Sequence, residues 1–228
     1  DRLTGELVRE PFAYTNVNWA TGVDMETGVP IYNEDALTFT DIPTPISVCP
    51  FIAGNNWYND AYSPSTGLVY FQAENRCATF TGTEAEYTPG ESYILMSFTD
   101  IGNGPGGWTG ELQAWDPVTG QKAWGLKSTV SQDAKPVFAT AGGLVFGGTD
   151  TGEFRAVDAA SGRVLWTFRT GSNFRGSPMS FTGPDGRQYI AVVTSQAPTD
   201  PQIGADTAAD NAGRYRRTGS TLYVFGLP

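Results

Sequence analysis

The chain contains no histidine, and that absence alone removes several chemistries. A Ser-His-Asp triad, a His-ligated zinc site and a CxxCH haem attachment all require an imidazole. Cysteine is scarce too: Cys49 and Cys77 are the whole supply, and they stand too far apart for a CxxC redox motif. No apolar run approaches the roughly 20 residues of a membrane-spanning helix. Lys and Arg total 14 against 24 Asp and Glu, a net charge of −10. Nucleic-acid binding needs clustered cations, so this balance argues against it. The short cluster Arg214, Arg216 and Arg217 reads as a solvated loop, and the acidic surface suits a basic protein partner. The sequence opens on Asp1, with neither an initiator Met nor a signal peptide, so the expectation is a processed chain or a piece of a longer protein.

What is present is glycine (28), proline (15) and aromatics (13%), with charged residues at only 17%. That is the balance of an all-β protein with many tight turns. Short apolar or alternating runs recur at 68–73, 93–98, 111–115, 143–148, 153–157, 164–168, 188–193 and 221–226. Turn sequences separate them, among them SPSTG, DPVTG, TDTG, DAASG and GPDG. No convincing amphipathic helix is found. Two segments, 33–56 and 196–219, are longer than a typical connection.

One motif occurs twice. Residues 114–124 read AWDPVTGQKAW and residues 156–166 read AVDAASGRVLW, a separation of 42. Both fit Ala-x-Asp-x-x-[Thr/Ser]-Gly-x-x-x-Trp. A period of about 40 residues marks a repeated four-stranded unit, which favours a propeller over a sandwich or barrel. The Asp-x-x-Thr-Gly run makes the hairpin turn. Its Asp and Thr bond nearby backbone, and its Gly takes the positive φ. Trp124 and Trp166 are then structural, each lying between one blade and the next. Residues 23–31, VDMETGVPI, are a weaker copy without the Trp.

This repeat resembles the tryptophan-docking motif of quinoprotein alcohol dehydrogenases, the propellers that hold pyrroloquinoline quinone (PQQ). Further segments are similar to the same family in order: DRLTGELV at 1–8, VNWATGVDMETGVPI at 17–31, GNNWYNDAYSPSTGLVY at 54–70, 139–168, 177–193 and STLYVFGLP at 220–228. The resemblance implies an all-β fold, with residues 1–228 forming a partial β-propeller: the later blades of an eight-bladed quinoprotein propeller. The earlier blades are expected on another polypeptide or are missing. It implies oxidation of an alcohol by hydride transfer to the quinone, with electrons passed to a cytochrome c-type acceptor. The implied cofactors are PQQ with Ca²⁺ or a lanthanide, and the implied compartment is the bacterial periplasm. The family's catalytic base and metal ligands fall before this stretch, so neither is assigned here. The alternative is a non-enzymatic propeller of the same repeat type, acting as an envelope scaffold or binding module.

Four residues carry the implied cofactor site. Arg2 aligns with the family's PQQ-contacting arginine, where a planar guanidinium pairs with a carboxylate or quinone oxygen. Its bland reading is an exposed arginine. Asn56 aligns with the Asn that bonds PQQ, an amide offering both donor and acceptor; otherwise it is a turn residue. Trp57 either lines the pocket or belongs to the core. Lys135 either places a cation near the quinone or is a surface lysine. The resemblance also implies a Cys49–Cys77 disulfide, against two buried thiols as the alternative. Glu84, Glu86 and Glu91 read as a solvated loop, and Asp116 and Asp158 as turn residues. After YIAVV the sequence SQAPTDPQ departs from methanol-specific relatives, which suggests a larger substrate.

Overall fold

The structure is a computed structural model. It describes residues 1–37, 44–51, 54–84, 86–91, 93, 95–129, 135–174, 176–194 and 220–226. The polar loop at 196–219, its three arginines and the SQAPTDPQ stretch lie outside the described residues. The chain divides into two compact units. One comprises Asp1–Ile52 and Asn75–Gly106, the other Ala53–Glu74 and Gly107–Pro228.

In the first unit, β1 (Ala20–Val23) and β2 (Pro30–Tyr32) form a hairpin across the VDMETG turn. A short 3-10 turn, Glu34–Ala36, follows. Strand β3 (Ile46–Val48) belongs to a second, three-stranded sheet, whose other members are β6 (Arg76–Gly82) and β7 (Met96–Asn103). Phe51, Phe80 and Phe98 meet there with centroids 5.3–5.9 Å apart, Phe98 lying edge to face with both others. The Arg76 guanidinium lies over Phe51. Cys49 and Cys77 are joined in a disulfide, with Cα atoms 4.4 Å apart.

The second unit holds three antiparallel sheets. The first comprises β4 (Ala61–Ser63), β5 (Leu68–Glu74), β8 (Gly110–Asp116) and β9 (Gln121–Ser128), side by side in that order. The next is a simple meander of β10 (Val137–Ala139), β11 (Leu144–Gly148), β12 (Glu153–Asp158) and β13 (Val164–Arg169). The third has β14 (Met179–Thr182), β15 (Gln188–Thr194) and β16 (Thr221–Gly226).

The middle sheet shows why its strands read as continuous apolar runs. Side chains alternate between faces. Val145 and Val157 point one way, into a core with Tyr70, Leu112, Ala114 and Val137. Phe146, Phe154 and Ala156 point the other way, against Phe174, Ile190 and Val192. A strand buried on both faces has no polar positions to alternate. These paired cores are the interleaved packing of successive propeller blades.

Each motif turn forms as its residues dictate. The Asp116 carboxylate accepts from the amides of Val118 (2.8 Å) and Thr119 (3.2 Å), and Gly120 closes the turn at φ +69°. Asp158 does the same through the Ser161 hydroxyl and amide, which hold its carboxyl below the usual range. Asp24 repeats the pattern with Glu26 and Thr27. Asp1 does so with Leu3 and Thr4, a fourth turn of the same kind, again without a following Trp. The two full motif turns join edge pairs, β8–β9 and β12–β13, as the outer-strand reading requires.

Because the strands are antiparallel, successive connections alternate between the two ends of the second unit. One end carries the two full motif turns. The other carries the segments leading into β4, β10 and β14, together with the turn between β11 and β12. A bond between sheets lies at this second end, where the Val137 amide donates to Asn59 O (3.1 Å); within the middle sheet the Thr170 amide donates to Gly152 O (2.9 Å).

Candidate functional site

Three of the four residues singled out from the sequence meet at that second end. The segment 54–60, GNNWYND, leads into β4 and is tied down at several points. The Glu74 amide donates to Gly54 O (2.6 Å), and the Asn55 amide donates to the Asp60 carboxylate (2.6 Å). Partial desolvation raises the Asp60 carboxyl above the usual carboxylate range, with the Asn55 bond opposing it. The segment leaves Asn56 exposed. Trp57 is 63% exposed in this chain. Its indole contacts the Tyr58 ring at a tilt of 33°, with centroids 4.3 Å apart.

Lys135 lies beneath this pair. It is 3% exposed, so the surface-lysine alternative does not hold. Its ammonium sits 2.6 Å from the Asp150 carboxylate, whose residue is equally buried. The same nitrogen lies 5.5 Å from the centroid of Tyr58, within cation–π range. The charge therefore reaches the site already neutralised by Asp150.

Asp150 was not among the sequence candidates, because TDTG reads as an ordinary turn. The turn is in fact rigidly held. The Thr149 hydroxyl accepts from the Glu153 amide (3.0 Å) and bonds the Thr151 hydroxyl (2.9 Å). Gly152 has φ +82°, and a Cβ there would come within 2.9 Å of the Ser172 amide nitrogen. No local signal pairs positions 135 and 150; that needs the third dimension.

Arg2 belongs to the other unit. It occupies the second position of the turn capped by Asp1, and its side chain is exposed. Among the described residues, no group of three or more Asp, Glu, Cys or His side chains is placed to hold a metal ion.

An exposed indole face, an adjacent exposed amide and a buried, locally neutral ion pair suit a flat, polar-edged aromatic ligand better than a small ion. That is the kind of site a propeller presents at the end where its innermost strands begin. Comparison with known proteins makes the class specific. Residues 127–190 match the family described as glucose/ethanol/alcohol dehydrogenase, beta-propeller domain, of the PQQ type. The chain is 35% identical over 247 residues to a lanthanide-dependent methanol dehydrogenase of Methylacidiphilum fumariolicum, covering 100% of this chain and 40% of that protein. It is 37% identical over 237 residues to a quinoprotein ethanol dehydrogenase of Pseudomonas aeruginosa, covering 100% and 37%. A europium-containing methanol dehydrogenase superposes with a TM-score of 0.85 at 31% identity, covering 94% of this chain and 40% of that one. The chain belongs to the quinoprotein alcohol dehydrogenase family and corresponds to the C-terminal part of its members. It spans about 40% of the length of these relatives.

Proposed function

We propose that this chain supplies the later blades and part of the cofactor site of a PQQ-dependent alcohol dehydrogenase. Residues 1–228 would together be one partial propeller domain. The observation that carries the reading is the exposed Trp57 beside Asn56, in contact with Tyr58, whose ring packs against the buried Lys135–Asp150 pair. A blade with only a scaffolding role requires no such surface.

The donor set fits the cofactor. PQQ is planar, carries carboxylates and an ortho-quinone, and when bound supplies two-electron, hydride-accepting chemistry. Trp57 offers a flat apolar face. Asn56 offers one donor and one acceptor at a ligand edge. Arg2 would offer a bidentate fork to a carboxylate or quinone oxygen. Lys135 supports the indole from below through Tyr58. Ca²⁺ or a lanthanide, and the base that takes the alcohol's proton, would come from the part of the enzyme before this stretch.

The partner carrying the earlier blades has a place to join. Among the described residues, the β14–β15–β16 sheet has three strands where its two neighbours have four. Leu222 and Val224 on β16 are 63% and 49% exposed. A neighbouring blade packed on that face would cover them. The Cys49–Cys77 disulfide supports an oxidising compartment, hence the periplasm. The charge of −10 supports a basic cytochrome c-type acceptor.

The test is to express the chain with the N-terminal blades and load it with PQQ and either Ca²⁺ or a lanthanide. Quinone absorbance and alcohol-dependent dye reduction are then measured. A bound quinone that turns over alcohols supports the reading. A stable assembly that takes up no quinone would overturn it and leave the scaffold alternative.

A further inference from the structure

We propose that Asp150 is a positioning residue for the Trp57 indole, acting through Lys135 and Tyr58. The inference rests on the reading of Trp57 as the cofactor-facing indole. It adds that residues on a different sheet set that indole's orientation.

The contacts form a continuous chain. The Trp57 ring contacts that of Tyr58 at 4.3 Å, tilted by 33°; the Tyr58 ring lies 5.5 Å from the Lys135 ammonium, and that ammonium is 2.6 Å from Asp150. The lysine link has a reason to transmit position. A lysine side chain has many rotamers, and an isolated one would wander. Here it is buried and fixed at its tip by a carboxylate. That carboxylate stands on the turn between β11 and β12, which is held by Thr149 and backed by Gly152 against Ser172. Segment 54–60, by contrast, contains no strand, and the Val137 amide of the middle sheet donates to its Asn59 O. The firm end of the chain is therefore Asp150, and the free end is the indole. Stability alone does not require such a pair, because well-packed apolar residues of similar volume commonly serve as well as a buried ion pair. A desolvated ammonium over an aromatic face, however, defines a geometry that an apolar contact does not.

The experiment uses the complete enzyme, free of PQQ, labelled with 5-fluorotryptophan and observed by ¹⁹F NMR. Loss of a signal in Trp57→Phe assigns Trp57, and the signal of Trp124, at the opposite end of the unit, serves as control. Asp150→Asn breaks the pair. Should that variant fail to fold, the paired apolar replacement Lys135→Met with Asp150→Leu keeps the volume without charge. Either is expected to shift or broaden the Trp57 signal, leave Trp124 in place and raise the Kd for PQQ about tenfold. Lys135→Arg keeps a cation on Asp150 and should hold the wild-type position. An unmoved Trp57 signal in the paired variant overturns the proposal, and so does equal movement of Trp57 and Trp124, which would mean general disruption. Adding PQQ to the wild type decides the underlying reading separately. If the Trp57 signal ignores the quinone, the cofactor assignment falls, whichever way the variants come out.

Discussion

The Trp124 indole N–H donates to the carbonyl oxygen of Ala159 at 3.0 Å. Ala159 is the second residue of the DAASG turn, so the tryptophan that ends the first motif copy docks on the turn of the second. The Tyr70 hydroxyl donates to the same oxygen at 3.1 Å, and its ring lies 5.8 Å from the indole. The repeat is thus a joint between neighbouring sheets, and its 42-residue period is the distance along the chain from one joint to the next.

That joint makes a sharp prediction about two glycines. Gly162 and Gly186 both have positive φ, +71° and +76°. A Cβ on Gly186 meets nothing within 4 Å, whereas one on Gly162 would come within 2.6 Å of the Trp124 ring. Gly186→Ala should cost about 1 kcal/mol from backbone strain alone. Gly162→Ala should cost about 2–4 kcal/mol, because the ring must leave its place. Thermal unfolding of the two variants measures the difference, and equal losses would contradict the docking role.

The Cys49–Cys77 disulfide closes a loop with a sequence separation of 28. Replacing both cysteines by Ser should lower stability by about 3–4 kcal/mol through restored freedom of the unfolded chain. Denaturant unfolding with and without the bond tests this. The loss should fall on the first unit, where Phe51, Phe80 and Phe98 pack beside the bridge.

Breaking the buried ion pair should cost far more than removing it. Lys135→Met leaves the Asp150 carboxylate buried beside an apolar side chain, an expected loss of about 3–5 kcal/mol. Adding Asp150→Leu should recover most of it. A double-mutant cycle from unfolding midpoints measures the coupling. Additive losses would show that the two charges do not depend on each other.

Glu153 governs part of the acid limb. Burial pushes its carboxyl up, but the Arg155 hydrogen bond and the Arg155 and Arg169 charges prevail, so it sits below its ordinary 4.5. The folded state therefore holds this proton less tightly than the unfolded chain. Its contribution is present above pH 4.5 and is lost as pH falls through the lower, folded value. Glu153→Gln should lower stability at neutral pH by about 0.5–1 kcal/mol and flatten the fall below pH 4.5. Unfolding measured as a function of pH checks both limbs.

The sheets were legible wherever local chemistry sufficed. The run at 221–226 is β16 residue for residue, and the runs from 111, 153 and 164 lie within β8, β12 and β13. Strands β4, β10 and β14 were not seen, being only three or four residues long with no periodicity to detect. Strand β6 escaped because RCATFTG mixes polar and apolar positions around the disulfide.

The sequence by itself determined the turns and the repeat, because an Asp side chain capping amides two and three residues ahead, and a glycine at positive φ, are contacts within five residues. It also marked Asn56, Trp57 and Lys135 through resemblance. Only the tertiary structure decided where those residues lie and what they touch. It exposed the indole, buried the lysine and brought in Asp150, fifteen positions further along, on another connection at the same end of the sheets. That pairing depends on antiparallel strands returning two connections to one end, and no local pattern of residues encodes where the chain will return.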